Sequence, residues 1–283
     1  MSKHTSFEVG GPAELFFLPS SVSALASALR EAHELDVPVF PLGSGANILV
    51  SDSGIEGLVV SLSKLNNIYM TDAGITAESG AEISDVALFA AEAGLSGLEF
   101  FFSMPGSVGG SVWMNARCYS VSISDILSSA QVVTLDGVRK QIRPESAQFD
   151  YKVSPFQGTN DIIVSACFGP LRSGEPERIK RKMGQYKKDR EKKGHFSFPS
   201  AGSVFKNNRD FGEPTGVLID RLGLKGLSIG GAKISDLHAN IVINTGGATA
   251  DDIRRLVEHM EKAVEEAYGF RLEREIRFIG KWP

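Results

Sequence analysis

The sequence predicts a mixed α/β fold built from more than one packed unit, and three observations carry that expectation. The chain has 283 residues, above the roughly 100–200 of an ordinary domain. Hydrophobic residues make up 42% of it and glycines number 30, enough for a core interrupted by many tight turns. Helical periodicity also alternates with short apolar runs bounded by glycine, serine and aspartate.

In chain order, Ser20 or Ser21 can cap a helix whose apolar face holds Val22, Leu25, Leu29 and Ala32. Residues 37–42 follow as a strand, GSGAN at 43–47 as a turn, and residues 48–50 and 58–62 as further strands. A turn at 72–74 precedes a helix from about Ile83 to Ala93, which Gly94 can close. Residues 131–142 alternate as a hairpin around Asp136-Gly137, and residues 162–168 read as a strand. Composition changes near 172–174, where a domain boundary is expected, and a charged helix covers 176–193. A last helix starts at TADD, with Thr249 and Asp252 as its capping box, buries Ile253, Leu256, Val257, Met260 and Val264, and stops at Gly269. In the tail LEREIRFIG, alternation puts Glu273, Glu275 and Arg277 on one face and Leu272, Arg274 and Ile276 on the other.

Charge and composition exclude several classes. The net charge of −4 gives no whole-chain attraction to nucleic acid or an acidic membrane. Nine Lys/Arg against two Asp/Glu between Arg178 and Lys193 read as a solvated helix face, because the single aromatic among them, Tyr186, is too little for base stacking. Cys118 and Cys167 are the only cysteines and lie far apart, and the five histidines do not cluster, so neither a disulfide framework nor a metal site is signalled. The start MSKHTSF lacks the basic-then-apolar pattern of a secretion signal, and no apolar run reaches membrane-spanning length, which makes the cytosol the expected compartment.

Three segments carry chemistry. In PSAGSVFKN, residues 199–207, Gly202 permits close backbone approach, Ser203 offers a hydroxyl, and Lys206 and Asn207 can grip an anion. The same residues also build ordinary surface turns. In PLGSGANILVSD, residues 41–52, Gly43 and Gly45 follow a strand, so amides can converge on phosphate oxygens. The spacing is not that of a nicotinamide fingerprint, since Ile48 takes the third glycine's place. SMPGSVGGSVWMNA, residues 103–116, brings Pro105, three glycines, Ser107 and Ser111. Two such loops suggest one long ligand with a central diphosphate, a description FAD fits.

The blocks HTSFEVGGPAE, PLGSGANILVSD, GLSGLEFFFSMPGSVGGSVWMNA, YKVSPF, PSAGSVFKN, GLKGLSIGGAKISDLHANIVIN and LEREIRFIG run in order from His4 to Gly280. Together they resemble the UDP-N-acetylenolpyruvoylglucosamine reductase (MurB) family, and the short chain is similar to its second type, which lacks an added substrate-covering loop. The resemblance implies an α+β protein with a vanillyl-alcohol-oxidase/PCMH-like FAD-binding fold and a separate C-terminal substrate domain. Residues 1–62 and 63–172 would be the two FAD-binding subdomains and 173–283 the substrate domain, its tail strand returning to the active site. Non-covalent FAD, NADPH as reductant and UDP-N-acetylenolpyruvoylglucosamine as substrate are implied, with no nucleic acid, membrane or metal partner.

Residue by residue, the resemblance makes Ser203 the proton donor, Glu275 a catalytic acid, and Lys152 a stabilising cation where the family usually has arginine. Gly43, Ser44, Gly45, Ala46, Asn47, Pro105, Gly106, Ser107, Gly109, Gly110, Asn115 and Ala116 fall on the cofactor segments. Tyr151, Lys206, Asn207, Lys225 and His238 are implied substrate contacts, with a hydrogen-bonded structural role the alternative for His238. Another flavin oxidase on the same fold, or a weakened nucleotide-binding protein suggested by Lys152, stays open at this level.

Overall fold

The computed structural model describes residues 1–282, and packing divides them into two compact units. One comprises residues 14–44 and 57–188, the other residues 1–13, 45–56 and 189 onward.

The larger unit is built around a five-stranded antiparallel sheet in the order Arg139–Ile142, Leu127–Val133, Ile162–Phe168, Gly74–Glu78, Ile68–Thr71. Every residue of Ile162–Phe168 is buried, because helices cover both faces of the sheet. Helix α1 (Val22–Glu34) packs Leu25 and Leu29 with Val133, Ile162 and Val164. Helices α2 (Ile83–Glu92) and α3 (Val108–Trp113) pack Val86, Ala90, Val108 and Val112 with Val132, Ile163 and Phe168. That two-sided burial is why this strand reads as a continuous apolar run rather than an alternation. A three-stranded sheet, Ala13–Phe17, Ile55–Ser61, Val39–Leu42, adjoins α1's core, with Val39–Leu42 and Ile55–Ser61 parallel.

Local signals hold closely. Ser21 caps α1 by accepting from the Ala24 N–H at 3.1 Å. The hairpin turns at Asp136-Gly137, where Gly137 N–H bonds the Thr134 carbonyl at 2.9 Å. The charged helix α4 spans Pro176–Lys192. One expectation needs correction: residues 108–113, read as loop, form helix α3. Ser107 caps it by accepting from the Gly110 N–H at 3.3 Å. A Cβ on Gly109 would stand 2.8 Å from the Ser79 Cβ, so this glycine lets the helix lie against the sheet rather than loosening a loop.

The second unit has a parallel pair, Ile48–Val50 with Arg277–Ile279, and a small antiparallel sheet, Ser228–Ile229, Ala232–Ile234, Val242–Asn244. Helix α5 (Thr215–Arg221) precedes that sheet, and α6 (Ala250–Tyr268) closes the unit's core with Ile253, Leu256, Val257, Met260 and Val264. The Thr249–Asp252 capping box is present and Gly269 terminates α6 at φ 76°. Asp52 adds a distant cap, its two carboxylate oxygens each accepting at 2.9 Å from the Ala250 and Asp251 N–H groups. The tail is regular only over Arg277–Ile279, although Leu272 and Ile276 are buried as the alternation requires. No helix among the described residues is long and apolar enough to cross a membrane.

Candidate active site

In the second unit, PSAGSVFKN runs between two other segments of chain. On one side Ser203 bridges Ile241 in antiparallel fashion and Val204 N–H donates to the Asn240 carbonyl at 2.8 Å. On the other, Phe205 bridges Arg274, and Lys206 N–H donates to the Glu273 carbonyl at 2.9 Å. Glu275 N–H donates to the Val204 carbonyl at 2.7 Å, so Ser203 and Glu275 sit on adjacent backbones, near each other along the pairing. The turn into this segment is Gly202, at φ 71°. The half-buried Ser203 hydroxyl has no hydrogen-bond partner among the described residues.

Asn240 was not legible as a site residue, yet it fixes this segment. It is 2% exposed, its Oδ1 accepts from Phe205 N–H at 3.0 Å, and its Nδ2 donates to the Phe205 carbonyl at 2.8 Å. The side chain thereby replaces a length of β-ladder, satisfying both polar groups of Phe205. Its own N–H donates to His238 Nδ1 at 3.2 Å. Burial holds His238 below its usual 6.5, and the Lys193 and Lys225 charges push the same way. His238 is thus a neutral acceptor with its proton on Nε2, a tautomer that follows from the hydrogen bond. His195, 6.3 Å away between ring centroids, is brought from 6.5 to about 4 by burial first, then by the proximity of His238, which resists a second proton on the pair, and by the Arg190 and Lys193 charges.

The remaining polar residues of this unit are partly engaged. Lys206 pairs with Glu273 at 2.5 Å and Lys225 with Asp220 at 2.8 Å. Asn207 Oδ1 accepts from Thr215 N–H at 2.9 Å at the start of α5. Asn47 Nδ2 donates to the Glu275 carbonyl at 3.1 Å.

Around GSGAN, Gly45 takes φ 69° where a Cβ would fall 2.1 Å from the His4 carbonyl oxygen, so only glycine fits. The consecutive amides of Ser44, Gly45, Ala46 and Asn47 have no acceptor among the described residues. Such a run of free N–H groups is an anion-binding concavity. In the larger unit, Ser107 N–H donates to Ser44 Oγ at 3.0 Å, and a Cβ on Gly43 would lie 2.2 Å from Ser107 Oγ, so the two glycine-rich segments meet through bare backbone. Ser103 Oγ, at the head of the second segment, is buried without a partner among the described residues. Free amides and an orphaned hydroxyl fit a diphosphate-bearing cofactor such as FAD.

Also in the larger unit, Tyr151 and Lys152 form a two-residue turn closed by reciprocal Asp150 and Val153 hydrogen bonds of 3.2 and 3.0 Å. Lys152 sits at φ 60°, a left-handed conformation uncommon for a residue with a Cβ. Three side chains anchor the turn to the end of α3. Asn115 Nδ2 donates to the Asp150 carbonyl at 2.9 Å, Ser154 Oγ to the Trp113 carbonyl at 2.6 Å, and Gln157 Nε2 to the Trp113 and Lys152 carbonyls at 2.9 and 3.0 Å. Asn115 Oδ1 also accepts from Ser124 N–H at 3.0 Å, so the same carboxamide ties the turn to the chain beyond α3. Lys152 Nζ lies 5.9 Å from the Tyr151 ring centroid. The packing therefore groups Ser203, Lys206, Asn207, Lys225, His238 and Glu275 in one unit and Tyr151, Lys152, Asn115 and residues 105–110 in the other.

Comparison with known proteins agrees along the whole chain. Residues 13–142 match an FAD binding domain and residues 194–279 the C-terminal domain of UDP-N-acetylenolpyruvoylglucosamine reductase. The reductase of that name from Treponema denticola is 42% identical over 98% of this chain and 91% of its own, and that from Pediococcus pentosaceus 40% identical over 99% and 93%. The crystal structure of the reductase (MurB) from Thermus caldophilus superposes with a TM-score of 0.83 at 32% identity, covering 100% of this chain and 97% of its own. With relatives of that name 40% and 42% identical over nearly its whole length, the chain belongs to the UDP-N-acetylenolpyruvoylglucosamine reductase family.

Proposed function

We propose that this protein is an FAD-dependent oxidoreductase that uses NADPH to reduce UDP-N-acetylenolpyruvoylglucosamine to UDP-N-acetylmuramate. The step belongs to peptidoglycan precursor synthesis, and through it to cell-wall biogenesis, cell shape and cell division, in the cytoplasm. The observation that carries the reading is the backbone bond from Glu275 to Val204, which sets a hydroxyl and a carboxyl on neighbouring strands. The organisation into two flavin-binding subdomains and a substrate domain is part of the same proposal.

The amides of residues 44–47 and the 103–110 segment would hold FAD, which would supply hydride transfer from NADPH to the enolpyruvyl carbon. What the chain's own residues must do is handle charge and a proton. Lys152 steadies the substrate carboxylate and the enolate that develops beside it. Glu275 donates a hydrogen bond to that enolate. Ser203 delivers the proton to the adjacent carbon, aided by neighbouring donors that stabilise its alkoxide. Lys206 and Asn207 contact the nucleotide sugar, for which Lys206 exchanges its Glu273 partner.

The first test is spectroscopic. Purified protein is expected to be yellow, to bleach on anaerobic addition of NADPH, and to recover its colour on addition of the enolpyruvyl sugar. Acid precipitation should release the flavin, since neither cofactor segment contains a histidine or cysteine for covalent attachment. Turnover driven by oxygen on an alcohol, with no response to the enolpyruvyl sugar, would refute the assignment.

A further inference from the structure

The tail carries an irregularity exactly where its chemistry is needed: two residues oppose one. The N–H groups of Glu275 and Ile276 point at the same Val204 carbonyl, at 2.7 and 3.4 Å. Regular pairing, set by the Phe205–Arg274 bridge, stops there and resumes as the parallel pairing of Arg277–Ile279 with Ile48–Val50. Two consecutive N–H groups on one carbonyl make the hydrogen-bond pattern of a β-bulge, here at the end of an isolated bridge rather than inside a ladder. The extra residue is Glu275. Ile276 stays 2% exposed in the core, on the face that buried Leu272 also occupies, so the irregular peptide is held next to a fixed core residue.

A bulge leaves its extra residue's backbone without a ladder partner. Here the Glu275 carbonyl receives Asn47 Nδ2 at 3.1 Å, and the Asn47 carbonyl receives Arg277 N–H at 3.0 Å. Asn47 thus clamps the backbone on both sides of the bulge, and its side chain is the half that a substitution can remove. We propose that Asn47, which falls in a cofactor segment by its place in the chain, is a positioning residue for Glu275, fixing the bulged peptide so that the carboxyl keeps one direction. The inference rests on the catalytic reading of Glu275.

The physical expectation follows from geometry. With the amide gone, the Glu275 carbonyl takes water, its peptide can rotate, and the carboxyl strays; displacement of a catalytic group by ~1 Å costs up to ~100-fold. Reoxidation of the reduced holoenzyme by the enolpyruvyl sugar is therefore expected to slow about 10- to 100-fold in Asn47→Ala. The slowing should persist at saturating FAD and exceed any change in the rate of bleaching by NADPH. The deciding measurement is the double variant. In a Glu275→Ala background, Asn47→Ala should cost less than about twofold more, because there is no longer a side-chain donor to aim.

Asn47→Leu, which keeps the volume without the donor, should repeat this pattern if the alanine variant folds poorly. Full additivity of the two changes, or a loss confined to FAD affinity and abolished by saturating FAD, would overturn the inference. If Glu275→Ala alone left reoxidation unchanged, the catalytic reading itself would fall, a result distinct from a normal Asn47→Ala in an enzyme that needs Glu275.

Discussion

Two regions hold proposed catalytic groups, and they hold them by different means. Ser203 and Glu275 are placed by main chain, each segment hydrogen-bonded to its neighbour, with Asn240 and Asn47 filling gaps in the ladder. Lys152 is placed by side chains, on a turn tied to the carbonyl ends of α3 by Asn115, Ser154 and Gln157. Backbone pairing fixes a residue whatever its side chain, so the first arrangement tolerates little movement and suits a proton transfer with a short reach. A turn with one left-handed residue holds a flexible cation, which needs field and approximate position more than a fixed contact. The contrast explains why arginine and lysine could exchange at one place while the serine has no comparable substitute.

Breaking the rigid side should cost most. Ser203→Ala is expected to slow reoxidation by the enolpyruvyl sugar by roughly 100-fold or more, the range for loss of a general acid, and to leave bleaching by NADPH unchanged. Equal loss of both half-reactions in stopped-flow traces would mean that the serine supports the fold or the flavin instead. On the tolerant side, Lys152→Met should lose about 2–4 kcal/mol of transition-state stabilisation, measured from kcat/KM, whereas Lys152→Arg should stay active. Equal kcat/KM for Lys152→Met and the parent would assign the charge to another cation.

The smallest expected effect is on acid stability, and it sharpens the comparison because it concerns only the unit that holds Ser203. His195 has a folded pKa of about 4 against 6.5 for the ordinary group. Between these values the unfolded chain binds the proton and the folded one refuses it. The contribution is therefore fully present above pH 6.5 and is lost as pH falls toward 4. Allowing for the side chain's partial exposure, the loss is roughly 1–3 kcal/mol. His195→Gln should flatten that part of the urea-denaturation pH profile, and an unchanged slope would place the pH dependence elsewhere.

Features that depend on a few adjacent residues were legible in the sequence. The Ser21 cap, the Thr249–Asp252 box, the Asp136-Gly137 hairpin and the buried strand at 162–168 are of this kind. Helix α3 was not, because two of its six residues are glycines, poor helix formers. Its stability comes from the Ser107 cap and the burial of Val108 and Val112 against the sheet, which propensity cannot register. Within the proposed site, PSAGSVFKN stands out as a candidate through residue types alone. Glu275 does not, since alternating charges in a terminal strand look like a solvated face until the backbone bond to Val204 is seen. Asn240 and Gln157 carry no signal in a single sequence, because each acts on backbone groups brought near only by folding.

The knitting of the chain's early and late parts has a temporal consequence. Ile48–Val50 pairs only with Arg277–Ile279, Asp52 caps a helix that begins at Ala250, and the Ser51 hydroxyl donates to the Lys281 carbonyl. At translation rates of about 5–20 residues per second, the first partner waits roughly 10–50 s for the second. During that interval the unit formed by residues 14–44 and 57–188 has its whole sheet available and can condense. Leu49 and Val50, fully buried in the finished protein, meanwhile remain solvent-facing on the nascent chain. Assembly is thus vectorial: the flavin-domain sheet can form during synthesis, but the strand that carries Glu275 toward its place must arrive before the remaining unit can close.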